Sequence, residues 1–106
     1  MKNSFIAVLS VAAFAVVFSN FSPAQTGVDL FKSKCAMCHG PDGKGQTAMG
    51  KNLNLRDLGS AEVQSQSDAD LTNIVTNGKG KMPKYDGKLT SDQITDLVKY
   101  IRTLKH

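Results

Sequence analysis

The sequence predicts an all-α domain: three main helices joined by long loops. Apolar residues recur at spacings of three and four in three separate stretches. Capping residues stand where the two later stretches begin, and Asn77-Gly78 where the first of these ends. No alternating apolar and polar run of useful length appears, so no strand is expected.

The first helix is read over roughly residues 28 to 35, with Val28, Phe31 and Cys35 at helical spacing. The second starts at Ser67, with Asp70 three residues on as an approximate capping box. Leu71, Ile74 and Val75 mark its buried face, and Asn77-Gly78 closes it. The third has the clearest start, with Thr90 as N-cap and Gln93 three residues later. Ile94, Leu97, Val98, Ile101 and Leu104 form its apolar face. Lys99, Arg102 and Lys105 fall in its last turns, where the helix dipole favours cations. A short turn over residues 61 to 64, capped by Ser60, is a further candidate. Residues 40 to 57 and 78 to 89 read as loops, long enough to imply a task.

Residues 1–24 stand apart from this pattern. Lys2 gives a positive start, an apolar run extends from Phe5 to Phe18, and Ser22 and Ala24 are small residues before a polar stretch. That is the layout of a secretory signal, with cleavage expected after Ala24. The run falls short of the ~20 residues that a membrane span requires, so no stable membrane insertion is expected after cleavage. Neither cysteine lies at the exit of the run, which argues against a lipid anchor there. Residues 25–106 then form one domain. At ~80 residues a single core barely stabilises itself, and two cysteines cannot supply several disulfides. A large flat cofactor would provide the missing apolar surface.

The formal net charge is +4, of which Lys2 contributes one. So mild a balance, with no dense basic run and little aromatic interleaving, gives no support for nucleic-acid binding. Gly40-Pro41-Asp42-Gly43-Lys44-Gly45 superficially resembles a phosphate loop, but Gly45 stands where Ser or Thr is needed. With two histidines in the chain there is little support for hydrolytic catalysis, and no enzyme activity is expected.

Cys35-Ala36-Met37-Cys38-His39 is the informative motif. The spacing C-x-x-C-H reads as a haem attachment site. Two cysteines about one helical turn apart can reach two vinyl groups on one haem edge and form thioethers. The histidine that follows is then held facing the iron. Its other ring nitrogen needs an acceptor, commonly a backbone carbonyl. An exported chain suits c-type haem, which is attached outside the cytoplasm. A thioredoxin-type redox pair would need a βαβ context. A simple disulfide is permitted outside the cytoplasm. A zinc site would lack ligands.

Gly27, Phe31, Cys35, Cys38, His39, Gly40, the segment from Lys79 to Pro83 and the last helix with Tyr100 together resemble a class I cytochrome c of the small bacterial single-haem type. The resemblance covers residues 25 to 106. It implies a cytochrome c fold wrapped around one haem c and its iron, with the first and last helices crossing closely. Gly27 and Phe31 would there meet Leu97, Tyr100 and Ile101. It also implies a methionine as sixth ligand, and Met82 in Gly80-Lys81-Met82-Pro83 matches that position. Of the other candidates, Met37, inside the motif, is geometrically poor, Met49, ten residues from His39, reads as a loop or core residue, and His106 reads as a solvated terminal side chain. The sequence departs from the family at Gly50-Lys51-Asn52-Leu53. Many members have proline where Lys51 stands, and its carbonyl accepts from the ligand histidine. The implied function is a soluble single-electron carrier outside the cytoplasm, in the periplasm or otherwise exported. A haem enzyme or gas sensor would need an open sixth position.

Lys79, Lys81, Lys84 and Lys88 crowd the Met82 loop, and Lys34 and Lys44 flank the attachment motif. A basic ring of this kind would steer a monomeric carrier onto redox protein partners with an acidic docking patch. Lys99 and Arg102, on the far helix, would serve as a control for that ring.

Overall fold

Serine and threonine hydroxyls start every helix in the computed structural model, which describes residues 26–106. Thr26, Thr47, Ser60, Ser67 and Thr90 each accept a hydrogen bond from the backbone N–H three residues on. Each cap satisfies a donor that the helix cannot, at about 1 kcal/mol apiece. Thr90 and Gln93 complete a reciprocal capping box. The expected signal segment, residues 1–24, lies outside the described residues.

Helix α1 is α-helical over Gly27–Leu30, π-helical over Phe31–Cys35 and α-helical again over Ala36–His39. It therefore runs past the expected end at Cys35 and carries the whole attachment motif. The π turn sends the Ala36 N–H back to the Phe31 carbonyl, an extra residue in the ladder of a kind common at functional sites. Helix α2, Ala48–Asn52, lies inside a stretch expected to be loop. Its sequence has no apolar periodicity to announce it. Helix α3 is Ala61–Gln64, α4 is Asp68–Asn77 and α5 is Ser91–Thr103, in agreement with the sequence reading. Gly78, at φ 73°, closes α4. The described residues hold no strand, only isolated bridges at Lys79–Met82 and Asp86–Leu89.

Helices α1 and α5 cross closely. A methyl group on Gly27 would overlap the Asp96 carbonyl, so only glycine permits this approach. Phe31 packs on Tyr100 with ring centroids 5.1 Å apart and tilted by 53°. Leu30, Phe31, Val75, Leu89, Ile94 and Leu97 form one buried cluster; Val63, Leu71, Val98 and Ile101 form a second. The expected face of α5 is buried at Ile94, Leu97, Val98 and Ile101, while Leu104 is half-buried.

Arg102 is not the free surface charge that its place in the last turn suggested. Its guanidinium donates to the carbonyls of Gln64 (2.9 Å) and Gln66 (2.6 Å) and pairs with Asp68. Gln64 Nε2 in turn donates to the carbonyls of Leu58 and Ile101. This network ties α5 to the link between α3 and α4, so Arg102 cannot serve as a neutral surface control. Among the described residues no helix is long and apolar enough to cross a membrane.

Candidate haem site

An apolar cleft opens between α1, α4, α5 and the loop before α5. It has two lobes. The outer, of about 420 Å³, is lined by Lys34, Cys35, Cys38, His39, Asn52, Leu53, the segment from Lys79 to Pro83 and Tyr85. The inner, of about 280 Å³, is lined by Phe31, Leu58, Val63, Leu71, Ile74, Val75, Leu97 and Ile101, with Asn54, Arg56 and Gln66. Cys35, His39, Leu55, Lys79 and Met82 line both lobes. Such volumes suit a small-molecule cofactor.

The sequence-predicted residues meet here. Cys35 and Cys38 are half-buried, free thiols on α1, not a disulfide. Burial, reinforced by neighbouring Cys38, pushes the Cys35 thiol up to about 11. A reactive redox thiol needs a lowered pKa, the opposite of the shift at Cys35. Burial lowers the His39 pKa, which favours the neutral imidazole that a metal requires.

Met82 is brought to the cleft by the loop after α4. Its N–H donates to the Lys79 carbonyl, and its own carbonyl accepts from the Lys79 N–H. The other sixth-ligand candidates lie elsewhere. Met37 is 81% exposed and Met49 46% exposed, and neither lines a lobe. His106 is bonded to Asp57 at 2.7 Å.

The residues fit a haem. His39 Nδ1 is buried and has no hydrogen-bond partner, an orphaned donor or acceptor on a ring facing an apolar cleft. The Lys51 carbonyl, which occupies the family's usual acceptor position, accepts instead from the Asn54 N–H at 3.2 Å. One nitrogen and one thioether donor, with two thiols beside them, form a donor set suited to His/Met-ligated iron.

Sequence reasoning missed two residues here. Tyr85 lines the outer lobe and its hydroxyl donates to the Lys34 carbonyl at 3.2 Å. Burial and the two cysteines raise its pKa. Thr47 donates to the Cys38 carbonyl at 2.6 Å. A threonine three residues before Gly50 was the available signal, as an N-cap pattern without an apolar face.

Of the lysines, Lys34, Lys79 and Lys81 line the outer lobe, and Lys84 and Lys88 are exposed on the same loop. Lys88 lies 5.9 Å over the Tyr85 ring. Lys44 is instead among the charges acting on Asp57.

The family described as cytochrome c oxidase, cbb3-type, subunit III matches residues 22–101. Cytochrome c6 of Nostoc sp. strain PCC 7120 is 36% identical, covering 95% of this chain and 92% of its own length. The cbb3-type cytochrome c oxidase subunit FixP of Azorhizobium caulinodans is 32% identical, over 90% of this chain and 33% of its own length. Among solved structures, the c-type cytochrome KustC0563 superposes with a TM-score of 0.71 at 31% identity. It covers 76% of this chain and 99% of its own.

Proposed function

This chain belongs to the class I cytochromes c, and from that premise we propose that Cys35 and Cys38 tether its haem while His39 and Met82 ligate the iron. Its family makes it an electron carrier with covalently bound haem c, not an enzyme. The observation that carries the ligand reading is the shared lining: Cys35, His39 and Met82 border both lobes of one cleft.

The Cys35 and Cys38 thiols would each add across one vinyl group of the haem, the sulfur bonding one carbon and the proton passing to the other. Neutral His39 offers a nitrogen lone pair, and Met82 offers a polarizable thioether. When bound, the haem supplies a one-electron iron couple, and a His/Met pair raises its potential. Buried Phe31, Val75 and Leu97 give the inner lobe an apolar wall. If His39 and Met82 both hold the iron, the chain would leave no open ligand position for oxygen or peroxide, which would separate a carrier from a haem oxidase or gas sensor.

Lys34, Lys79 and Lys81 border the outer lobe and mark the face through which electrons pass. With Lys84 and Lys88 they form a basic patch suited to the acidic docking surface of a redox protein partner, met by a monomer. The run from Lys2 to Ala24 supports export, with cleavage after Ala24 leaving residues 25–106 as a soluble periplasmic carrier.

The test is haem staining of denaturing gels. Cys35→Ala or Cys38→Ala alone should weaken haem retention, and the double substitution should abolish it. A stained band from the double variant would overturn the attachment.

A further inference from the structure

We propose that Thr47 is a positioning residue for His39, clamping the last turn of α1 through the Cys38 carbonyl; this rests on His39 being the iron ligand. The last carbonyls of a helix have no intrahelical donor. In α1 they are satisfied from outside. The Cys38 carbonyl accepts from Thr47 Oγ1 at 2.6 Å, and the His39 carbonyl accepts from the Gly45 N–H at 2.7 Å. The same Thr47 oxygen accepts from the Gly50 N–H at 2.9 Å. One hydroxyl thus joins the end of the attachment helix to the start of α2.

Little else holds α2. Ala48, Met49, Lys51 and Asn52 are exposed, and only Gly50 is buried. A methyl on Gly50 would overlap the carbonyls of Gly45 and Cys38. Without an apolar face, α2 is fixed by the Thr47 hydroxyl, this close backbone contact and the Leu55 N–H on the Gly50 carbonyl. Asn52 and Leu53, at the far end of α2, line the outer lobe. Releasing Thr47 therefore loosens both the turn that aims His39 and one wall of the cleft.

The plainer reading makes Thr47 only an N-cap. The other caps argue against it. Ser60, Ser67 and Thr90 accept from their own helices, and among the described residues none donates to the backbone of another helix. Thr47 alone does both.

Aspartate separates the two roles, because its carboxylate caps a helix well but has no proton to give the Cys38 carbonyl. The holoproteins of wild type, Thr47→Val, Thr47→Asp and Thr47→Ser are compared by NMR of the ferric state and by hydrogen exchange. Thr47→Asp and Thr47→Val should shift the paramagnetically displaced His39 ring resonances and speed exchange of the Gly45 amide by about tenfold, the scale of one lost hydrogen bond. Thr47→Ser should restore both, and the amides of α5 should not change in any variant. If Thr47→Asp matches wild type in ring resonances and Gly45 exchange, Thr47 is a cap only and the proposal is overturned. If wild type shows no displaced His39 ring resonances, the ligand reading itself has failed.

Discussion

Removing the haem should unfold the domain. The perturbation is Cys35→Ala with Cys38→Ala, which leaves no covalent tether. The inner lobe has a volume of about 280 Å³ and is walled by core residues including Phe31, Leu71, Val75, Leu97 and Ile101. At ~24 cal/mol per Å³ of residual cavity, leaving it unfilled costs about 7 kcal/mol. That is an upper bound, because the mouth is open to water and the walls relax. Domains are stable by only ~5–15 kcal/mol, and one of ~80 residues sits low in that range. The helix caps, at about 1 kcal/mol each, cannot offset such a loss. Far-UV circular dichroism with a urea titration is the assay. The haem-free variant should lose most of its helical signal and melt without a cooperative transition at 25 °C. Native-like helix with a cooperative melt would refute the reasoning, because the two core clusters would then close without the cofactor between them.

Met82→Ala should keep the haem, lower the reduction potential and admit carbon monoxide or cyanide; an unchanged spectrum and potential would point to another ligand. Charge reversal at Lys81 and Lys84 should slow electron transfer to an acidic partner at low ionic strength and matter little near 1 M salt, where the Debye length is about 3 Å. Reversal at Lys99 and Lys105 is the control, since Arg102 is committed to Gln64, Gln66 and Asp68; equal effects of the two pairs would reduce the basic patch to a solvated surface. The His106 ring and the Gly59 N–H hold the Asp57 carboxyl below its usual value of 3.8. Because this pKa is depressed in the folded state, the stabilisation exists above 3.8 and is lost as pH falls through the lower folded value. Asp57→Asn should therefore be less stable than wild type at neutral pH, and the gap in urea midpoint should close in strong acid; a gap independent of pH would contradict the assignment.

What the sequence disclosed was local. The caps at Ser60, Ser67 and Thr90 act within one turn, and the α5 face repeats at fixed spacing, so these elements needed no tertiary information. The attachment motif was equally local, and the close approach at Gly27 followed from the family resemblance. What stayed hidden depends on distant partners. Helix α2 has no apolar stripe and is held by Thr47 and Gly50 against Cys38. The extension of α1 through a π turn depends on a ladder shift that no residue pattern signals. Arg102 reads as a dipole-complementing cation until Gln64 and Gln66 are seen beside it. His106 reads as a free terminal side chain until the fold brings it to Asp57. In the cleft, the thiols and His39 were legible as a motif, whereas Tyr85, Leu55 and Gln66 enter only because the chain folds back on itself.

The most direct test of the central claim is proton NMR of the reduced holoprotein. A thioether bound to haem iron places its methyl over the porphyrin ring, whose current moves the signal far upfield. A single upfield methyl assigned to Met82, absent in Met82→Ala, together with His39 ring protons shifted by the same macrocycle, is the predicted result. An upfield methyl assigned to Met49, or none at all in the wild-type protein, would contradict it.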